Sequence, residues 1–516
     1  MSQRIYPIGI QNFEKVRKDG YLYVDKTALI HQLVTTGSYY FLSRPRRFGK
    51  SLLISTLQAY FEGKKELFSG LAMERLEQKW TVHPVFHLDL NIEKYGSVES
   101  LENILNNHLS RWEQLYGSDE SEKSLSLRFA GVIRRACERT GERVVILVDE
   151  YDKPLLQSIG NKEVQTELRN TLKPFYGVLK TMDGCIRFAM LTGVTKFGKV
   201  SVFSDLNNLM DITMDRRYTE ICGISEQELQ TCFKEDIEEL ALRKQTTAAD
   251  LAEKLRLRYD GYHFSPDTGG MYNPFSVLNT FARMEFGSYW FETGTPTYLV
   301  ELLRNNDYKL EEVNGKEVGI ETLSGVDAVD TDPIPVIFQS GYLTIKDYDP
   351  EFDLYTLGYP NKEVEEGFIK FLVPFYSPIQ ESNSGFHIRN FVKEVRTGDI
   401  DGFFTRLRSF FSDTTYELVR QQELHYSNVL YIVFRLMGFH TQVEYHTSNG
   451  RIDLVLQTAD YIYVMEFKLS GTAEEALQQI NDKGYALPFA KDPRTLYKIG
   501  VSFSSETRNI DRWVVE

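Results

Sequence analysis

The chain contains 516 residues, 42% of them hydrophobic, and this length suggests two to four domains with several buried cores. Its formal net charge of −14 argues against a protein that coats nucleic acid non-specifically, because such binding depends on neutralising phosphates. No stretch approaches the roughly 18 consecutive apolar residues of a membrane span. The four cysteines lack metal-ligand spacing and are typical of reduced thiols, so we expect a cytoplasmic protein.

A strand, a basic loop and a helix are the first elements that indicate a function. Residues 39–42 predict a strand and residues 51–60 a helix, and Arg-Pro-Arg-Arg-Phe-Gly-Lys-Ser runs between them from Arg44. This order is typical of a phosphate-binding loop, where backbone N–H groups and a helix N-terminus hold phosphates. We expect Lys50 to reach the β- and γ-phosphates and the Ser51 hydroxyl to ligate Mg²⁺. Arg44 replaces the first glycine of the usual pattern, and an ordinary basic strand-to-helix turn is the alternative.

Three further strands fit the same sheet, at residues 85–89, 144–148 and 186–192. The second is a continuous apolar run, which is typical of a parallel strand buried on both faces. Asp149 and Glu150 follow it, at the carboxyl end where open α/β sheets place ligands. We expect Asp149 to orient Mg²⁺ or its water and Glu150 to polarise the attacking water. The alternative is a buried strand that ends in a solvated acidic turn.

The third of these strands ends at Thr192. In P-loop ATPases of the additional-strand type, a polar residue at this place senses the γ-phosphate, so Thr192 is a candidate for that role. A strand-ending threonine without a role in the chemistry is equally consistent with the sequence.

Beyond the sheet the pattern becomes helical, and then predicts a hairpin. Helices are expected at residues 225–242, with a cap at Ser225, and at residues 247–255 and 276–285. Residues 338–345 and 354–357 bracket an acidic turn, which predicts a β-hairpin. A winged-helix module is one interpretation of this region and a structural connector is the other. The hairpin carries no arginine, so it is poorly suited to binding the phosphates of a nucleic acid.

Short motifs stand out across most of the chain, at residues 23–27 (Tyr-Val-Asp-Lys-Thr), 44–51, 148–154 (Val-Asp-Glu-Tyr-Asp-Lys-Pro), 191–194, 203–209, 259–262, 272–276 and 293–296. With these motifs the chain resembles a bacterial AAA-ATPase-like family whose members carry a C-terminal PD-(D/E)XK nuclease-superfamily domain. That family also has arginine in place of the first glycine, so Arg44 agrees with it. The resemblance implies ATP binding more firmly than ATP hydrolysis. It also implies that the helices after the sheet form a lid.

The expected nucleotide contacts come from the loop and from the two strand ends. They are Arg44, Arg47, Phe48, Gly49, Lys50, Ser51, Leu52, Asp149 and Thr192. The arginines of the loop could face phosphates, act as a finger across a subunit interface, or lie in a solvated loop. Asp25 and Lys26 match the family and could pack at the nucleotide's base.

A second group of candidate catalytic residues lies near the C-terminus. Residues 450–456 and 461–468 predict two strands joined by a turn. Because side chains alternate along a strand, Glu466 and Lys468 share one face, and a hairpin pairing can bring Asp453 to that face. Phosphodiester hydrolysis needs hard oxygen ligands for Mg²⁺, which Asp453 and Glu466 supply, while Lys468 can orient the water or stabilise charge. A cross-strand ion pair is the usual meaning of such a pattern when it stands alone.

Flanking residues complete this second group. Glu423 precedes a predicted helix at residues 424–437, and the nuclease superfamily often places an acidic residue there to complete the metal site. Gln479 and Tyr485 lie on a predicted helix after the hairpin, match the family's pattern, and could position the substrate or the lysine. Residues 401–516 carry more acidic than basic side chains, however, which gives a poor electrostatic funnel for DNA.

The predicted architecture is α/β. It comprises a P-loop NTPase (AAA-like) parallel-sheet domain at 1–220, a helical lid at 221–300, a winged-helix-like connector at 301–385, and an α/β PD-(D/E)XK nuclease-like domain at 386–516. The expected function is an ATP-regulated nuclease that uses Mg²⁺ or Mn²⁺ and acts on DNA. The sequence leaves open whether the chain forms a homo-oligomer. One alternative is a nucleotide-dependent switch or assembly protein whose nuclease-like domain binds without cleaving. Another is a defence or mobile-element effector with the same chemistry.

Overall fold

The computed structural model places the chain in two compact units. The first comprises residues 1–294 and 315–363, and the second comprises residues 295–314 and 364–516. Side chains at 292, 381–385, 422–423, 442–448 and 451–453 are not described. The residues that the structure describes are 4–159, 161–196, 202–203, 206–292, 299–300, 302–303, 306, 308–324, 332–376, 381–411, 422–438, 442–448, 451–468, 470–504, 506–507 and 509–516.

A parallel sheet lies at the centre of the first unit. Its strands, as far as the described residues show, are β1 (Tyr39–Ser43), β2 (Val85–Asp89), β3 (Val144–Asp149), β4 (Ile186–Gly193) and β5 (Met210–Asp211). They follow the order β2-β3-β4-β1-β5 and all pair in parallel. Every side chain of β1 and β3 is buried, as expected for strands covered on both faces. Because β4 lies between β1 and β3, the carboxyl ends of these three strands meet at one edge.

Helices and short strands surround this sheet and continue beyond it. A two-residue pair joins β6 (Ile224–Ser225) to β7 (Met271–Tyr272). The α-helices of the first unit are Phe13–Lys18, Thr27–Thr36, Lys50–Phe61, Ala72–Leu76, Val98–Tyr116, Leu125–Thr140, Lys153–Gln157, Lys162–Thr181, Glu226–Cys232, Lys234–Arg243, Ala248–Tyr259, Pro274–Arg283, Tyr289–Glu292, Ile320–Ser324 and Ile334–Gln339. Short 3-10 helices lie at Lys65–Phe68, Asp183–Cys185 and Arg216–Ile221.

The predicted helix at residues 225–242 is two helices. Ser225 caps the first as expected, because its hydroxyl accepts the Glu228 N–H and the Glu228 carboxylate accepts the Ser225 N–H. The chain leaves helical geometry at Phe233, whose ring is fully buried beside Leu229 and Ile237. The apolar spacing continues across this junction, so the sequence pattern alone predicts one helix where the structure has two.

The predicted hairpin is confirmed, but its first strand starts later than expected. β9 (Thr344–Asp349) pairs antiparallel with β10 (Leu354–Gly358), and β8 (Lys316–Gly319) adds a third strand beyond β10. The expected strand start at residue 338 is wrong, because Ile334–Gln339 is a helix. Proline in its first turn has no N–H to lose and a backbone angle that suits a helix start.

The second unit contains a mixed sheet. Among its described residues the strands are β11 (Gln442–Ser448), β12 (Arg451–Gln457), β13 (Tyr461–Lys468), β14 (Thr495–Ser504) and β15 (Asn509–Val515), in chain order across the sheet. Only β13 and β14 pair in parallel. The α-helices are Lys362–Tyr376, Glu381–Thr397, Ile400–Phe411, Gln422–Gly438 and Ala473–Lys483, with 3-10 helices at Leu310–Val313 and Leu487–Phe489.

The two faces of β13 pack against different helices. Ile462 and Val464 form a buried cluster with Ile480 of the helix Ala473–Lys483. Phe467, on the other face, lies 5.9 Å from Phe434, measured between ring centroids. The strands predicted at residues 144–148 and 461–468, which carry or precede the candidate catalytic carboxylates, are confirmed. The α/β fold class is confirmed as well.

Candidate nucleotide and nuclease sites

The loop between β1 and the helix Lys50–Phe61 leaves the helix N-terminus uncapped by any side chain. Gly49 occupies the N-cap position with φ of 97°, in the left-handed region that favours glycine. The first N–H groups of an α-helix have no partner within the helix, and the helix dipole favours negative charge there. This end of the helix is therefore suited to phosphate oxygens.

Lys50 lies beneath the loop. Its Nζ donates to the carbonyl oxygens of Arg44 at 3.0 Å and Pro45 at 3.3 Å, and lies 3.9 Å from Glu150 Oε1. The side chain is 4% exposed. A buried ammonium held by neutral carbonyls and one carboxylate can exchange these partners for phosphate oxygens, which are stronger acceptors.

Three polar side chains stand at the ends of β3 and β4, and one of them, Glu150, lies near Lys50. Thr192 Oγ1 donates to Asp149 Oδ1 at 2.7 Å, and both side chains are buried. Glu150 follows with φ of 57°, a left-handed conformation that is uncommon for a residue with a side chain. Burial raises the pKa of Glu150 to about 7, with Lys50 opposing and the nearby aspartates adding to the effect. A carboxyl group with this pKa can exchange a proton near neutral pH.

Asp152 is a residue of this region for which the sequence analysis predicted no role. Its carboxylate is fully buried and accepts the backbone N–H of Val194 and Thr195, the latter at 2.6 Å, and the Thr195 hydroxyl at 2.8 Å. It therefore fixes the chain that leaves β4 against the end of β3. Its place three residues after Asp149 could have indicated a supporting role, since buried carboxylates need hydrogen-bond partners.

The side chains of Arg44 and Phe48 are buried, whereas Arg47 is exposed. Arg44 is 1% exposed, and its guanidinium donates to the carbonyl oxygens of Ser43, Thr213 and Tyr218. Arg47 lies over an aromatic ring, as does Arg46, and Phe48 is buried. The Arg44 guanidinium is thus bound to backbone carbonyls, and the contribution of this residue to a nucleotide site is limited to its backbone.

An apolar cleft adjoins the loop. It is lined mostly by apolar side chains, as small-molecule pockets usually are. Gly49 and Leu52 line it from the loop side, together with residues of the N-terminal segment, of 221–224 and of the helix Pro274–Arg283. Lys26 also lines the cleft, and its ammonium pairs with Glu228. An apolar cleft beside a phosphate-binding loop suits the base and sugar of a nucleotide.

The C-terminal carboxylates occupy one row of the second sheet. Asp453 of β12 is the Cα partner of Glu466, and Glu466 is in turn the partner of Gly500 on β14. Lys468 lies two residues further along the face of Glu466, so the hairpin pairing predicted from the sequence is confirmed. Glu466 is fully buried and Lys468 half-buried. The side chain of Asp453 lies outside the described part of the structure.

Comparison with known proteins agrees with this arrangement. The family described as Predicted AAA-ATPase matches residues 7–203, and the PD-(D/E)XK nuclease superfamily matches residues 421–513. A protein of Azotobacter chroococcum mcd 1, described as "Uncharacterized protein in vnfD 5'region", is 37% identical over 532 residues, covering 100% of this chain and 99% of that protein. The chain belongs to the AAA-ATPase-like family with a C-terminal PD-(D/E)XK nuclease-superfamily domain. No solved structure matches it.

The flanking residues of the PD-(D/E)XK domain take different positions. Gln479 is half-buried on the helix Ala473–Lys483. Tyr485 lies beyond the end of that helix and packs against the apolar cluster of Ile462, so its expected position on the helix is wrong. Glu423 is the second residue of the helix Gln422–Gly438 and not ahead of it, and its side chain is not described.

The register of the PD-(D/E)XK sheet adds two residues that sequence reasoning missed. His446 on β11 is the Cα partner of Asp453, so it belongs to the row of the two carboxylates. A β-carbon at Gly500 would overlap the Ala473 carbonyl oxygen and the Leu477 nitrogen of the overlying helix. Glycine therefore lets that helix lie directly on the strand beside Glu466. Neither feature is visible from spacing within one strand.

The donor atoms of both sites suit Mg²⁺. In the AAA-ATPase-like domain, Ser51 and Asp149 supply a hydroxyl and one carboxylate, and Mg²⁺ commonly adds substrate phosphates and waters to so few protein ligands. In the domain of the PD-(D/E)XK nuclease superfamily, the carboxylates of Asp453 and Glu466 and the Phe467 carbonyl would be the donors. Among the described side chains, no three His, Cys, Asp or Glu residues converge on one point as a metal site.

Membrane insertion through a helix finds no support in the described residues. No helix among them combines the length and the apolar composition that crossing a bilayer requires.

Proposed function

We propose that this protein is an ATP-regulated, metal-dependent nuclease that acts on DNA. The observation that carries the proposal is the register of β12 and β13, which sets Asp453 opposite Glu466 on the face that Lys468 shares. The same chain carries a phosphate-binding loop whose lysine lies within 4 Å of Glu150. Two hydrolytic centres in one chain favour a protein in which nucleotide state controls cleavage.

The residues of the nucleotide site would divide the work of ATP binding and hydrolysis. Lys50 would exchange its two carbonyl partners for the β- and γ-phosphates, and the uncapped helix N-terminus would hold the phosphate oxygens. Ser51 and Asp149 would hold Mg²⁺, which neutralises charge on the phosphates. Glu150, with a pKa of about 7, would accept the proton of the attacking water. Thr192 would keep Asp149 in place through its hydrogen bond.

The residues of the nuclease site would act on a phosphodiester. Asp453 and Glu466 would hold Mg²⁺ or Mn²⁺, which supplies an activated water and neutralises charge on the phosphorane. Lys468 would orient that water or stabilise the developing negative charge. Gln479 would contact the substrate from the helix that lies over β14, and Glu423 would complete the metal site. We expect the substrate to be DNA and not RNA because of the family relationship.

Cleavage assays test the nuclease proposal directly. The purified chain is incubated with DNA or RNA and Mg²⁺ or Mn²⁺, with and without ATP. We expect cleavage that Asp453→Ala and Lys468→Ala abolish, whereas the matched controls Asp460→Ala, in the exposed turn of the same hairpin, and Lys483→Ala, on an exposed helix face, retain it. Wild-type protein without activity, or unchanged cleavage in Asp453→Ala, would refute it.

A nucleotide-dependent switch is the second candidate, and the acidic balance of residues 401–516 favours it. In that case the nuclease-like domain binds a partner or a second copy of the chain without cleaving. It requires an ATP-dependent change in oligomer size, measured by light scattering, that Lys50→Ala abolishes. Metal-dependent cleavage that Asp453→Ala removes would exclude this candidate. A defence or mobile-element role would use the same chemistry, and phage plating with and without the gene tests it.

A further inference from the structure

Every arginine of the phosphate-binding loop lies over an aromatic ring of residues 264–290. A cation within about 6 Å of a ring centroid is attracted by the negative face of the ring. The three pairs come from consecutive parts of the loop and reach three separate places in the sequence. They are Arg44 over Phe264 at 3.9 Å, Arg46 over Trp290 at 4.7 Å and Arg47 over Phe275 at 5.0 Å, measured from the guanidinium carbon to the centroid.

Phe48 and the backbone of the loop contact the same part of the chain. The ring of Phe48 lies 4.8 Å from that of Tyr262 in an edge-to-face arrangement. Trp290 Nε1 donates to the Arg46 carbonyl oxygen at 3.1 Å, so the Arg46–Trp290 pair has two bonds of different kinds. We call residues 262–290 the docking segment of the loop.

Pro45 packs on glycine outside the docking segment. A β-carbon at Gly341, where φ is 89°, would lie 2.5 Å from the Pro45 Cβ. Only glycine therefore permits this approach, on grounds of both space and backbone conformation. The loop is thus held from Arg44 to Phe48 by side chains and backbone of one unit.

Lys50 connects these contacts to the phosphate end of the loop. Its Nζ donates to the carbonyl oxygens of Arg44 and Pro45, the two residues whose side chains contact Phe264 and Gly341. A phosphate that draws the ammonium away removes a donor from both carbonyls at once. The two carbonyl groups that would lose this donor belong to Arg44 and Pro45, whose side chains pack on Phe264 and Gly341.

We propose that Arg44, Arg46 and Arg47 are positioning residues that couple the loop to the docking segment, so that nucleotide binding changes the order of residues 262–290. This regulation rests on the proposed binding of ATP at the loop. Coupling between two places is reciprocal, so loss of a docking contact also changes nucleotide affinity. The arginines act through the loop backbone and are not required as ligands of the phosphates.

Hydrogen–deuterium exchange of the full chain tests the coupling. The chain is compared with and without Mg²⁺ and an ATP analogue that resists hydrolysis, and peptides of residues 39–61 and 258–292 are followed. We expect nucleotide to slow exchange in both regions of the wild type. In Arg46→Gln, the effect at the loop should persist and the effect at residues 262–290 should fall at least twofold. Arg46→Lys, which keeps the charge, should restore part of it.

Arg283→Gln is the matched control, because Arg283 lies 5.1 Å over Tyr289, a ring of the same region that is not among the three rings under the loop arginines. It should leave the response of both regions unchanged. Nucleotide that slows exchange at the loop alone in the wild type overturns the coupling, and so does a full response in Arg46→Gln. If a fluorescent ATP analogue fails to bind the wild type, the proposed nucleotide-binding function is refuted, and this inference falls with it.

Discussion

Glu150→Gln should stabilise the protein at alkaline pH while it removes ATP hydrolysis. The pKa of Glu150 is raised from 4.5 to about 7, chiefly by burial, so the protonated form is favoured inside the protein. The stability that this carboxyl group contributes is fully present below about pH 4.5 and is lost as the pH rises through about 7. Glutamine is neutral at every pH and has the same shape as glutamic acid. The variant therefore does not lose stability at this position as the pH rises.

The size of the effect follows from the pKa. One pKa unit corresponds to about 1.4 kcal/mol, so the rise from 4.5 to about 7 amounts to about 3 kcal/mol at most. The side chain is 23% exposed, and water screening will reduce this value. For a domain of roughly 150–250 residues, 1 kcal/mol moves the melting temperature by about 2–4 °C. We therefore expect Glu150→Gln to melt several degrees above wild type at pH 8 and close to wild type at pH 5.

Scanning calorimetry at the two pH values, with phosphate release measured in parallel, checks this prediction. Glu102→Gln, on an exposed helix face, is the control and should differ little from wild type at either pH. The variant should still bind a fluorescent ATP analogue, because the phosphate contacts of Lys50 remain. If the melting difference were the same at pH 5 and pH 8, or if the variant were less stable than wild type at pH 8, burial would not be the cause of the stability change. Retained hydrolysis would refute the role of Glu150 as base.

Three further substitutions test the geometry. Lys50→Ala should weaken binding of a fluorescent ATP analogue by about 10- to 150-fold, since hydrogen bonds to charged groups contribute about 1.5–3 kcal/mol. Asp152→Ala should lower the free energy of unfolding by about 1–3 kcal/mol in denaturant titration, because the N–H groups of Val194 and Thr195 lose their side-chain acceptor. Gly500→Ala should destabilise the second unit by about 1–3 kcal/mol in the same assay, because its methyl group would overlap the helix Ala473–Lys483, whereas Gly269→Ala, with open space around it, should have little effect.

Patterns within one element were sufficient to predict much of the fold. The apolar run at 144–148 predicted a buried parallel strand, and the structure confirms it. The alternation at 461–468 put Glu466 and Lys468 on one face, and the register with β12 agrees. These features depend on local periodicity, which the sequence displays directly.

Features that depend on contacts between distant segments could not be read from the sequence. Arg44 occupies the place of a phosphate-binding glycine, yet its guanidinium bonds to carbonyls of residues 213 and 218. The row that unites His446 with Asp453 exists only through the register of β11, a strand that the sequence did not indicate. The backbone leaves helical geometry at Phe233, although the apolar spacing of Leu229, Phe233 and Ile237 fits a continuous helix.

The central claim is that nucleotide at the loop controls cleavage at the hairpin. Its most direct test is the rate of plasmid cleavage in Mg²⁺, measured with and without ATP for wild type, Lys50→Ala and Asp453→Ala. We expect a rate that depends on ATP in wild type, a rate that ATP does not change in Lys50→Ala, and no cleavage in Asp453→Ala. Cleavage by wild type at the same rate with and without ATP would contradict it.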